Sequence, residues 1–164
     1  PSTRRPFTDA EIKALFSSPL FTGCKSKHRR YQPGELIIRD AKFWVPIIGY
    51  YTGMRLGEII QLHVSDLVLD TEIPHFDLNE KSTAGDPKHI KTVAGIRTVP
   101  LHPDLLKLGI AELVAERRKW NRSSKRLFSE IPLGADGQAS TEFSKLFARM
   151  MDKAGLGDPA LTFH

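Results

Sequence analysis

A cation, a glycine turn and a carboxylate stand close together in Tyr51-Thr52-Gly53-Met54-Arg55-Leu56-Gly57-Glu58-Ile59-Ile60-Gln61-Leu62. On a helix, residues three apart share a face on neighbouring turns, so Glu58 can hold or orient Arg55. A guanidinium fixed in that way grips a phosphate with two hydrogen bonds. The plainer account of the same spacing is a surface ion pair near a helix start. Further cations follow at Lys88, Lys91 and Arg97, and the chain closes on Leu161-Thr162-Phe163-His164. Asp66, Asp70, Glu72 and Asp77 lie close in sequence, but turns and strand ends account for them without a metal.

The elements that must position these groups are legible in outline. Thr8-Asp9-Ala10-Glu11 reads as a capping box, followed by an apolar stripe of Ile12, Leu15 and Phe16. Residues 17–39 read as a loop, with Lys25, Lys27, His28, Arg29 and Arg30 as a solvated cluster or a contact to DNA backbone. Asp40 caps a second helix carrying Phe43, Trp44, Ile47, Ile48 and Tyr51, apolar on most faces and therefore central. Pro46 is expected to kink it or to mark a late first turn, and Gly53 to end it in the left-handed conformation. Arg55 then opens a short third helix.

From Leu67 the period changes. Residues 67–69, 73–78, about 87–92 and 97–101 read as short strands, with turns at Asp70-Thr71-Glu72 and Ala94-Gly95 and a polar loop from Asn79 to Asp86. Pro103 starts another helix through Leu105, Leu106, Ile110, Leu113 and Val114, weakened at Gly109 and ending in the basic run Arg117-Arg118-Lys119. Leu127-Phe128 reads as a buried strand or turn. Ser140 caps a last helix with Phe143, Leu146, Phe147, Met150 and Met151 on one side. The fold class is thus mainly α with a small antiparallel β-sheet (α+β).

Composition restricts the function classes. A chain of 164 residues, 40% apolar, suits one domain with a real core. The single cysteine, Cys24, excludes an internal disulfide framework and fits a reducing cytoplasm. No zinc-type spacing, membrane-length apolar run or signal peptide is evident. The first residue is not Met, so the sequence reads as a fragment or a processed form. A net charge of +5 leans towards an anionic partner.

Taken in series, Gly53-Met54-Arg55-Leu56-Gly57-Glu58, then Lys91-Thr92 with Arg97-Thr98-Val99-Pro100-Leu101-His102-Pro103, then Leu161-Thr162-Phe163-His164, resemble the catalytic domain of tyrosine recombinases, the phage-integrase family. The resemblance covers nearly the whole chain. It implies site-specific DNA integration or recombination through a 3′-phosphotyrosyl intermediate, with double-stranded DNA as partner and no cofactor or metal. By resemblance Arg55 binds the scissile phosphate and Glu58 supports it. Lys91 is the hairpin lysine that protonates the leaving oxygen, with Lys88 as its rival, and Arg97 adds a DNA contact. His164 opens the family's His-x-x-Arg motif. The second arginine, a later histidine or tryptophan and the nucleophilic tyrosine fall beyond His164, and the core-binding domain falls before Pro1. The fragment itself is therefore expected to be inactive and monomeric, and its parent to be a homotetramer on DNA. A non-catalytic DNA-binding or regulatory module of the same fold is the alternative. A type IB topoisomerase, which shares the chemistry, is disfavoured by the compact Lys91 hairpin and the Arg97-Thr98-Val99-Pro100-Leu101-His102-Pro103 segment.

Overall fold

The computed structural model describes residues 3–83, 86–120 and 124–163. Among these, seven α-helices and two small antiparallel sheets make a mixed α/β architecture. The chain forms two compact units, Pro1–Ile47 with Leu133–His164, and Ile48–Pro132.

In the first unit, α1 (Asp9–Phe16) starts at the expected capping box: Glu11 N–H donates to Thr8 Oγ1 and Thr8 N–H to the Glu11 carboxylate. Arg5 binds that same carboxylate and also Asp158, tying the beginning of the unit to its last segment. Residues 17–39 are not a loop. They contain α2 (Pro19–Thr22), β1 (Cys24–Ser26) and β2 (Arg29–Pro33), the strands pairing as a hairpin. Sequence pattern missed it because the strands are short and almost wholly polar. What closes the hairpin is its base: a Cβ on Gly34 would run into the Cys24 carbonyl, and Cys24 exchanges two backbone hydrogen bonds with Leu36, of 2.8 and 3.1 Å.

Asp40 precedes α3 (Ala41–Thr52), as its capping role requires, and Asp40 Oδ1 accepts from Phe43 N–H. Pro46 lies inside α3 and removes the donor to the Lys42 carbonyl without ending the helix. Phe16, Phe21, Phe43 and Trp44 form a chain of ring contacts in this unit. The last helix, α7 (Ala139–Lys153), buries Phe143, Phe147, Met150 and Met151, and Phe163 packs edge-on against both phenylalanines. Its N-cap is Gln138 rather than Ser140, which falls within the first turn.

The second unit opens with the end of α3. Gly53 takes φ 65°, the left-handed stop that the sequence anticipates. After α4 (Leu56–Ile60), a three-stranded sheet runs in the order β3 (Leu67–Val68), β4 (His75–Leu78), β5 (Arg97–Pro100). Register is Leu67↔Phe76 on one side and Phe76↔Val99 on the other, which buries Phe76 completely. Residues 87–92 form no strand. Their backbone is satisfied by side chains instead: Ser82 Oγ accepts from Lys88 N–H, and Gln61 accepts from His89 N–H. Gly109, at φ 101°, splits the helix expected after Pro103 into α5 (Pro103–Lys107) and α6 (Ile110–Trp120). Leu127 and Phe128 are fully buried in a turn. No helix among the described residues is long and apolar enough to cross a membrane.

Candidate phosphate-binding site

Arg55 is the N-cap of α4, with extended φ −67° and ψ 149°. It stands just outside the helix, so its side chain does not share a face with Glu58 in the way a helical residue would. Glu58 reaches back as the third helical residue and accepts the Arg55 backbone N–H at 2.9 Å. Its carboxylate is then claimed by Arg97, whose two terminal nitrogens donate at 3.0 and 3.1 Å. Of the two expected roles, holding or orienting Arg55, Glu58 takes the second, through the backbone rather than the guanidinium. Glu58 fixes the Arg55 backbone, and Arg97 takes the fork-on-fork pairing. The Arg55 guanidinium is exposed and makes no hydrogen bond or ion pair with another described residue.

Charge follows from this geometry. Glu58 is only 7% exposed, and burial alone would raise its carboxyl. Hydrogen bonds from Arg97 and from the Arg55 N–H outweigh burial, with help from both guanidinium charges, and hold it below the ordinary carboxylate value. Glu58 therefore stays ionised at neutral pH, and two arginines share one carboxylate. The surplus positive charge sits on Arg55, at the solvent side of a helix start.

The segment after β4 is bracketed onto α4 at two places. Gln61, the C-cap of α4, accepts from His89 N–H at 2.8 Å and donates to the His89 carbonyl at 3.1 Å, imitating a backbone bridge. Further along, Arg97 donates to the Gly95 carbonyl while it binds Glu58, and Gly95 lies against Ile90 with no room for a Cβ. Lys91 and Thr92 project, exposed, between these two anchors. Lys91 makes no hydrogen bond or ion pair with another described residue.

Lys88 has the opposite setting. Its side chain is 2% exposed and its ammonium is 2.5 Å from Asp66, itself 6% exposed. It also donates to Asn79 Oδ1 at 2.9 Å. Asp66 in turn accepts from His63 N–H and from the Asn79 amide. Next to this cluster, His63 Nε2 meets the Asp86 carbonyl at 3.2 Å, and the Asp86 carboxylate accepts from Ser124 and from Lys125 N–H. Burial first, and the Lys88 charge second, lower the His63 pKa. Glu58, Gln61, Asp66, Asn79 and Lys88 line one small depression together with Leu62, Leu78 and Ile90.

The structure thus brings Arg55, Glu58 and Arg97 together, hangs Lys91 from the same helix, and locks Lys88 into the protein interior. His164 lies outside the described residues. The Gln61 clamp and the Asp66–Lys88 pair were not readable in the sequence, since neither has a local spacing that separates it from surface polar residues. Tyr51 donates its hydroxyl to Asp104 at 3.1 Å, and burial, then that carboxylate, raise its pKa. Burial is the main cause of the raised pKa of Tyr31, opposed by Arg149 and Arg30. No group of three or more histidine, cysteine, aspartate or glutamate side chains among the described residues is placed to hold a metal. No protein family matches the chain, and neither does any curated protein or solved structure.

Proposed function

We propose that this chain is the phosphate-binding part of a site-specific DNA recombinase that breaks and rejoins duplex DNA through a 3′-phosphotyrosyl link. One observation carries the reading: an exposed, uncommitted Arg55 guanidinium is mounted on a backbone fixed by Glu58, whose own charge is already satisfied by Arg97. A guanidinium left over in this way suits the non-bridging oxygens of a phosphodiester, where charge grows in the transition state. When a tyrosine oxygen bonds to phosphorus, the bond from phosphorus to the 5′-oxygen breaks, and that oxygen needs a proton. Lys91, exposed between two anchors on α4, is the donor in this reading, and the buried Lys88 serves structure. In this reading none of Tyr31, Tyr50 and Tyr51 is the nucleophile, and His164 lies outside the described residues.

A DNA-binding or regulatory module of the same fold is the second reading. It is favoured by the plain exposure of Arg55 and Lys91, which suits phosphate contact without any chemistry. A nicked duplex that loses a short 5′ fragment on cleavage separates the two. With the protein that carries this chain, the recombinase reading expects a covalent DNA adduct, and expects Arg55→Ala to reduce its yield by about 100-fold or more. Specific duplex binding with no adduct would support the module and end the catalytic reading.

A further inference from the structure

The basic cluster at residues 25–30 is divided by the fold into two kinds of cation. Arg30 turns inward: it is 5% exposed, pairs with Asp40 at 2.6 Å and donates to the Ile38 carbonyl at 3.0 Å. Lys25, Lys27, His28 and Arg29 remain on the outside of the β1–β2 hairpin, all exposed. None of these four side chains makes a hydrogen bond or ion pair with another described residue. Glu35 is the only carboxylate in residues 17–39, and Asp40 is neutralised by Arg30.

A merely solvated charge run needs no scaffold, and this one has a stiff one. Cys24 is wholly buried at the base, and the base glycines pack backbone to backbone. Arg30 staples β2 from beneath. Holding the cations on a preformed hairpin lowers the ordering cost of binding an extended anion. A two-stranded ribbon also matches the width of the DNA major groove, and phosphates flank that groove on both sides. We propose that the β1–β2 hairpin is a duplex-DNA clamp in its own right, in which Lys25, Lys27 and Arg29 contact backbone phosphates and His28 joins them when protonated. The choice of DNA as the polyanion rests on the function proposed above; the hairpin itself is independent of Arg55 and Arg97.

The test is fluorescence anisotropy of this protein with a 20-base-pair duplex across a salt series. The variants are Lys25→Gln/Lys27→Gln/Arg29→Gln and a control, Lys13→Gln/Lys107→Gln/Lys153→Gln, that removes equal charge from exposed positions outside the hairpin. Thermal melts verify that each variant is folded. Each lost phosphate contact should remove about 0.9 from the slope of log K against log salt, so the hairpin variant should lose about 2–3 in slope while the control keeps the wild-type value. Equal losses in the two variants would reduce the effect to net charge and overturn the clamp. An unchanged slope in the hairpin variant, with wild-type binding intact, would also overturn it and leave the recombinase reading standing. No wild-type affinity for duplex at low salt would overturn both. Tighter binding to single-stranded RNA or to anionic vesicles than to duplex would overturn the assignment of DNA.

Discussion

Replacing Lys88 by Met tests whether the buried pair with Asp66 is structural. Methionine keeps the length and apolar volume of the lysine stem and deletes only the ammonium. The Asp66 carboxylate then stays buried, 6% exposed, with its lysine gone. Breaking one side of a buried ion pair costs about 3–5 kcal/mol. Asp66 keeps two donors, His63 N–H at 2.7 Å and the Asn79 amide at 3.0 Å, so the lower end of that range applies, about 3 kcal/mol. For a chain of this size that is a fall of about 6–12 °C in Tm. Asp66→Asn strands the lysine instead and is expected to cost about as much. In the double variant no buried charge is left over, so its loss should fall short of the sum by about 2 kcal/mol. The assay is urea unfolding at neutral pH followed by circular dichroism, closed as a double-mutant cycle. Lys91→Met, at an exposed position, is the companion and should stay within about 0.5 kcal/mol of wild type. A Lys88→Met protein as stable as wild type, or strictly additive single variants, would refute the reasoning and would reopen Lys88 as the mobile lysine.

Three further outcomes follow from the same geometry. The His63 pKa is depressed in the folded state, so below its ordinary value of 6.5 the unfolded chain binds a proton that the folded chain refuses. Stability should therefore be fully present above that value and fall as pH drops below it; Tm against pH should flatten there for His63→Gln. Hydrogen bonds from Arg5 and from Thr8 N–H lower the Glu11 pKa to about 2, and Asp158 is lowered by Ala160 N–H and Arg5. Their contribution is present above the ordinary carboxylate range and lost as pH falls through the folded values, so Arg5→Ala should move the midpoint of an acid titration to higher pH. Gly34→Ala forces a Cβ into the Cys24 carbonyl and should cost about 1–3 kcal/mol by the shift in urea midpoint.

How much of this was legible depended on the range over which each signal acts. The capping box of α1, the left-handed stop at Gly53 and the break at Gly109 are local, and each stands where the sequence marks it. Strand β4 was visible because Phe76 and Leu78 alternate with polar neighbours. The hairpin at Cys24–Pro33 was not, since its closure comes from backbone contact between glycines eleven positions apart. Residues 87–92 were misread as a strand because their anchoring is not local: Ile90 packs on Gly95, and the Gln61 side chain supplies the bridging hydrogen bonds that a partner strand would. In the site, the identities of Arg55, Glu58 and Arg97 were readable, but not who pairs with whom. An acidic residue at helix position three has two outlets, the side chain before it and the backbone before it, and sequence spacing does not choose between them.

Cys24 gives the first unit a built-in reporter. The chain has one cysteine, and it is wholly shielded at the base of the hairpin, its thiol directed to the Ser26 carbonyl at 3.6 Å. A thiol reagent can react only when that base parts, so the labelling rate under native conditions counts openings of the hairpin one event at a time. No label or engineered residue has to be introduced. Duplex DNA seated on the hairpin would slow the reaction, which makes a single sulfur atom a clock for occupancy of the surface above it.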